Sequence, residues 1–331
     1  MSATTALQLR NPSSLYFGKI ASRGDFVKSA TCTKVVALID NWVAQGMELL
    51  IADPSWKNYY DNAGTTDFLF IGTRKNHAIC GSLIPSSDAS LRRFPFIAAT
   101  LFEIDEPLAF LKFSPLVLER HISHQRALIH HAAKTHDAVA TLMTLNDVPL
   151  ESDFTRHKVI ENYRDFLLNT SIASLTNMLS FDEGQATVRQ MILAIGYLLQ
   201  PVLTNYVIPP YKGLAMLLPL DPAQLALVKS LWLDLVCTFL PRVEFELSIF
   251  SCVHYGKPKL IITFNGVTPS IFHALFDEQV AKDSLIDVSQ SEWVEDYAPQ
   301  DPATFKLSSY LEHDLLSLQL LVETFRQCFS G

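Results

Sequence analysis

The chain has 331 residues, 49% of them hydrophobic and 18% charged, which is ample core-forming material for one large domain or two of ordinary size. Its net charge of −8, from 34 acidic against 26 basic residues, argues against nucleic acid or an anionic membrane as the main partner, since either favours a basic face. Five scattered cysteines, Cys32, Cys80, Cys237, Cys252 and Cys328, form no CxxC pair and suit buried free thiols in a reducing compartment.

The opening MSATTALQLRNPSS has no apolar core of signal-peptide length. The longest apolar runs, around Leu214–Leu220 and Leu231–Leu240, fall short of the ~20 residues that span a bilayer. The expectation is a cytoplasmic protein that is not integral to a membrane.

In chain order, Leu15, Tyr16 and Phe17 form a short apolar run that enters a sheet. Gly18 and Gly24 then bracket a charged turn, where glycine allows positive φ or close backbone approach. Asp25 can accept from backbone N–H groups of that turn or pair with Arg23. Lys34–Ile51 spaces Val35, Val36, Leu38, Ile39, Trp42, Val43, Met47 and Leu50 as an amphipathic helix, ended by Asp53-Pro54. Asp67–Ile71, His77–Ile84 and Phe94–Phe102 read as three strands whose short connections favour antiparallel neighbours.

Ser114–Leu145 is a long helical zone split in two. Phe154–Leu168 and Gln185–Leu199 follow as helices, the latter stopped by Pro201. Val202–Ile208 and Leu214–Pro219 read as strands, then Pro222–Phe239 as a helix with proline near its start. Glu244–Cys252 and Lys259–Phe264 are strands around a Gly256 turn, and Thr268–Phe276 is a short helix. Ala281–Pro302 reads as an acidic, irregular, mobile connector. Phe305–Phe329 is a final amphipathic helix with Leu311, Leu315, Leu318, Val322 and Phe325 on one face.

The sum is α+β: largely antiparallel sheet flanked by helices in a layered sandwich. The two strand groups are two sheets or two halves of one. The regions divide as 1–112 (α+β), 113–200 (helical), 201–280 (second α+β) and 281–331 (connector and final helix).

Chemistry is sparse. His121, His124, His130, His131 and His136 cluster, and His121 and His124 share a helix face, but without a nearby cysteine or second shell they read better as a partly exposed face than as a zinc site. No GxSxG elbow, P-loop or GxGxxG spacing is present. Asp25, Asp88 and Arg92 are the candidates for an alternative phosphate- or carboxylate-handling enzyme, although arginine beside a carboxylate lowers its pKa and suits ion pairing better than proton shuttling. No cofactor and no metal are expected.

Two motifs carry a resemblance. FGKIASRGDFV resembles the FGKxPSRGDFV opening of the TagF/ImpM family of bacterial type VI secretion, with Ala21 where proline is usual. Ser82–Phe96 is similar to that family's P-S-x-D followed by G-R-x-F-P: Pro85, Ser86, Asp88, Arg92, Phe94 and Pro95 match, and Leu91 replaces a glycine. Pro258–Phe276 is a looser match, lacking the tryptophan-rich segment expected before it. The specific motifs lie in the N-terminal third.

The resemblance implies a non-catalytic, cytoplasmic, post-translational repressor that binds a forkhead-associated (Fha-type) scaffold or another component of the apparatus. Ser22, Arg23, Gly24, Asp25, Ser86, Asp88, Arg92 and Arg93 are the candidate residues, forming a shared polar surface that braces the fold or docks a partner. A third reading has the C-terminal helix dock onto another chain.

Overall fold

The computed structural model describes residues 9–72, 76–150, 156–179, 181, 186–204, 209–241, 246–254 and 256–329. The elements are β1 (Leu9–Gly18), β2 (Val27–Lys28), α1 (Thr33–Ile51), α2 (Trp56–Asn62), β3 (Thr66–Gly72), β4 (His77–Ile84), β5 (Phe96–Ile104), α3 (Pro107–Lys134) and α4 (Val139–Leu145). They continue with α5 (Arg156–Asn169), α6 (Ile172–Leu179), α7 (Val188–Thr204), β6 (Gly213–Leu217), α8 (Pro222–Cys237), β7 (Glu246–His254), β8 (Lys257–Thr263), α9 (Pro269–Phe276), α10 (Glu278–Ser284), β9 (Leu285–Asp287), α11 (Pro302–Leu311) and α12 (Leu318–Phe329).

Among the described residues nine strands make one sheet in the order β2-β1-β5-β4-β3-β7-β8-β6-β9. Every pairing is antiparallel except β6 with β9. The α+β expectation holds, and the two strand groups are halves of one sheet. They join where β3 pairs with β7, from Asp67↔Ser251 to Gly72↔Glu246.

Alternation along the central strands supplies both faces. Leu69, Ile249 and Ile262 point into a large core beneath α3, α5, α7, α8 and α12, while Phe68, Phe250 and Ile261 point into a second core beneath α1 and α9. A smaller cluster of Tyr16, Ile20, Ile84, Phe96, Ile129 and Leu145 closes the β1 end.

Several local expectations are corrected. α7 does not stop at Pro201 but runs to Thr204; with one turn left, the missing N–H costs a single bond. Of the expected strand Val202–Ile208, residues 202–204 are therefore helical, and 205–208 lie outside the described residues. α3 also contains a proline, Pro115. The Leu111 carbonyl it leaves without a donor accepts from the Ser114 hydroxyl at 2.8 Å.

Residues 281–302 are not an irregular connector. They contain the end of α10, the edge strand β9 and three short 3-10 turns that bury Val288, Val294 and Ala298. The final helix is two helices, and Leu315 lies between them, 90% exposed. α12 buries Leu318, Leu321, Val322, Phe325 and Phe329 in the protein's own core, which removes the reading in which it docks onto another chain. In α1, Leu38 faces solvent rather than the core.

Candidate functional site

Both motif turns sit at one end of the sheet, where β1 ends and β5 begins. The first is set by Gly18. Its φ is 134° and it lies so close to β5 that an added Cβ would fall 2.0 Å from the Pro95 carbonyl oxygen. Only glycine combines that φ with that approach. Beyond it Lys19 N–H donates to Pro95 O (3.4 Å) and Arg23 N–H to Ile20 O (3.1 Å). Gly24, the second bracketing glycine, has open space around it and no left-handed φ.

The second turn is built on Asp88, whose side chain is fully buried. Its carboxylate accepts from the backbone N–H groups of Ser90 and Arg92 (2.9 Å each), from Arg92 Nε (2.7 Å) and from Lys19 Nζ (3.0 Å). Burial opposes ionisation of this carboxyl, but the bonds from Arg92, Lys19 and Ser90 outweigh it and hold the pKa well below the usual carboxylate range. Lys19 comes from the first turn, so Asp88 ties the two together. Ala89 N–H donates to Arg23 O (2.8 Å) and Arg92 Nη2 to Gly24 O (2.5 Å).

Leu91, standing where the resemblance expects glycine, keeps the glycine conformation: its φ is 62° and its side chain is 77% exposed. The loop therefore retains its shape at a backbone cost of about 1–2 kcal/mol.

The root of the second turn is clamped by α2. Tyr60 Oη donates to Ser86 O and accepts from Ser86 N–H, both at 2.9 Å, and burial raises the Tyr60 pKa. Arg93 makes a two-pronged pair with Asp61 (2.7 Å each) and lies over the Trp56 ring. The Arg93 bond lowers the Asp61 pKa. Phe26 stacks on Phe17 and meets Phe94 edge-on at 4.9 Å, with Lys19 Nζ 5.0 Å from its ring centre.

The predicted residues thus divide by what they touch. Arg92, Arg93 and Asp88 are engaged in bracing contacts, and Ser86 is held through its backbone. Asp25 is exposed and accepts from the N–H of Phe26 (2.8 Å) rather than pairing with Arg23. The Ser22 hydroxyl is buried without a partner. Arg23 is exposed, and its guanidinium has no hydrogen bond or ion pair among the described residues. A groove of about 720 Å³ runs beside the second turn, lined by Ser86, Ser87, Leu91, Arg93, His130 and Lys134 among others. Sequence reasoning missed Tyr60, Asp61 and Trp56, since α2 reaches the turn only through the fold. Lys19 was missed as well, although its place in the FGK run was a signal that could have found it.

The histidines do not form one exposed face. His121 is buried, bonding Thr100 Oγ1 (2.9 Å) and Pro149 O (3.2 Å), and burial lowers its pKa. His130 contacts the Thr65 hydroxyl, while His124, His131 and His136 are exposed. Among the described residues no group of three His, Cys, Asp or Glu is arranged to hold a metal ion, and no helix is long and apolar enough to cross a membrane. Cys80 and Cys252 are buried thiols, whereas Cys32, Cys237 and Cys328 are half-buried.

The sequence profile of the TagF N-terminal domain, described as type VI secretion system-associated, matches residues 15–147. Over that stretch the chain is similar to a TagF N-terminal domain. It runs from β1 past the end of α4 and includes both turns, which ties this part of the chain to an accessory role in type VI secretion. No curated protein matches the chain. The crystal structure of PA0076 from Pseudomonas aeruginosa PAO1 is 22% identical, with a TM-score of 0.35 over 42% of this chain and 64% of that one. This chain thus spans a little under two thirds of that protein's length.

Proposed function

We propose that the protein is a non-catalytic regulator of type VI secretion, a post-translational repressor that acts in the cytoplasm by holding a forkhead-associated scaffold or another component of the apparatus. What supports this reading is how the motif arginines in the TagF domain are used. Arg92 and Arg93 are committed to Asp88 and Asp61, whereas Arg23 stands exposed and, among the described residues, unpartnered on the turn those pairs brace. A rigid turn presenting one unpaired arginine loses little entropy on docking, and arginine is favoured at interface hot spots.

Catalysis is served less well by the same residues. Asp25 is bound to its neighbour's N–H, and Asp88 is held ionised far below the pKa a general base needs. A captured scaffold is withdrawn from assembly in proportion to its affinity for this surface.

The test is recovery of the forkhead-associated scaffold from cell extract by wild type and by Arg23→Glu, alongside effector secretion. Loss of a hot-spot arginine costs about 2 kcal/mol, or roughly 30-fold in affinity. The variant should therefore lose the scaffold and release secretion. Equal recovery of scaffold by both chains, or turnover of a substrate by purified protein, refutes the proposal.

A further inference from the structure

Three observations at the turn-bearing end of the sheet remain unused by the fold. The first is charge. Lys19, Arg23, Arg92, Arg93 and Lys134 outnumber Asp25, Asp61 and Asp88 here, although the chain as a whole carries −8. Two of these cations, Arg23 and Lys134, are exposed and have no partner among the described residues. Asp61, the carboxylate in the groove, is already matched by both prongs of Arg93.

The second is Leu91. A leucine at φ 62° is strained, and with its side chain 77% exposed it returns little to the core. The left-handed backbone closes the turn, with Leu91 N–H donating to Asp88 O at 2.8 Å, and glycine would serve it without strain, so a leucine there points to a use for the side chain outside the fold. The third is space. Leu91 and, from the end of α3, Lys134 both line the groove of about 720 Å³, a volume within the roughly 300–1,000 Å³ of ordinary binding clefts.

We infer that this groove receives an acidic segment of a partner protein, with Leu91 as the apolar contact, Lys134 as the cation on the groove wall and Arg23, two residues beyond Ala21 of that wall, as a second cation outside it. The inference deepens the docking reading proposed above and rests on it. Carboxylates answer the two unpaired cations, and an apolar side chain in the segment answers Leu91. A basic segment would meet an excess of like charge.

The experiment measures fluorescence anisotropy of labelled peptides against the full chain. A peptide alternating glutamate and leucine should bind. A glutamate–serine peptide should bind about tenfold more weakly, and a lysine–leucine peptide not at all. Arg23→Glu combined with Lys134→Glu should weaken binding at least about tenfold and flatten its salt dependence.

Leu91→Gly suits the backbone while removing the contact. It should weaken binding about tenfold with an unchanged melting temperature, and Leu91→Met should restore it. Binding of the lysine–leucine peptide as tight as that of the acidic one, or Leu91→Gly binding like wild type, overturns the inference. Scaffold recovery that is indifferent to Leu91 and Lys134 overturns it while leaving the regulator reading intact. Tight acidic-peptide binding without scaffold recovery does the reverse.

Discussion

Gly18→Ala tests how the two turns are held. At φ 134° a residue with a Cβ pays about 1–3 kcal/mol in backbone strain. The new Cβ would also stand 2.0 Å from Pro95 O and 2.8 Å from Phe96 Cα, both backbone atoms that cannot swing aside. Relief requires β1 to move off β5 at Gly18↔Phe96, with loss of the Lys19–Pro95 hydrogen bond. A backbone bond is worth about 0.5–1.5 kcal/mol net. The sum is roughly 3 kcal/mol, a large share of the 5–15 kcal/mol typical of a folded domain. Urea unfolding followed by far-UV circular dichroism reads it directly. Gly24→Ala is the control: open space surrounds that position, so the change should stay within about 0.5 kcal/mol. If Gly18→Ala costs under about 1 kcal/mol, or the two variants behave alike, the account of the turn is wrong.

Asp88 has a lowered folded-state pKa, so its contribution to stability is complete above the ordinary carboxylate range near 4 and fades as pH falls below it. Asp88→Asn should melt lower than wild type at pH 7, and the gap should narrow in acid; a gap that stays constant down to pH 2 counts against the network. Asp234 is buried and accepts from Tyr163 Oη (3.0 Å), Lys112 Nζ (3.1 Å) and Arg326, joining α8 to α5, α3 and α12. Asp234→Ala strands these donors and should cost about 3–5 kcal/mol by urea unfolding. Leu91→Gly should lie within about 0.5 kcal/mol of wild type. Relief of about 1–2 kcal/mol of left-handed strain is offset by about 0.5–1 kcal/mol of glycine entropy and about 0.5 kcal/mol of lost side-chain burial.

Local signals in the sequence reached far into the fold. The His77–Ile84 strand appears with the predicted ends, because alternation and flanking polar turns fixed it. The helix at Pro222 begins there because Asp221 caps it by accepting from Ala223 N–H. Local pattern misled where tertiary contacts decided. Pro201 reads as a stop, yet α7 carries past it because its buried face continues to Val202. The acidic stretch 281–302 reads as a connector because its few apolar residues follow no period, and Val288, Val294 and Ala298 nonetheless reach the core through short 3-10 turns. At the site, Gly18 and Gly24 look equivalent in sequence. Only the closeness of Pro95 separates an obligatory glycine from a dispensable one. Arg23, Arg92 and Arg93 look equally available, and the bonds to Asp88 and Asp61 leave one of them unengaged.

One sheet spans the chain, yet the hydrogen bonds and ion pairs that shape the turns are all local to its N-terminal end. Gly18 against Pro95, Lys19 against Asp88 and Tyr60 against Ser86 involve nothing beyond Pro95. The other half is joined to them through the β3–β7 ladder and through Phe276, which stacks on the clamping Tyr60 ring at 5.6 Å, while the polar contacts of the turns stay within the N-terminal half. Stability and docking are therefore separable. Asp234→Ala weakens the far half, so it should lower the melting temperature while leaving the acidic-peptide affinity of the folded fraction unchanged. Asp88→Asn cuts the tie between the two turns, and the lost preorganisation should weaken peptide binding, despite the two cations it frees, even under conditions where the protein is fully folded. If both variants lost affinity in proportion to their lost stability, the turns would be reporting global unfolding rather than holding a preformed surface.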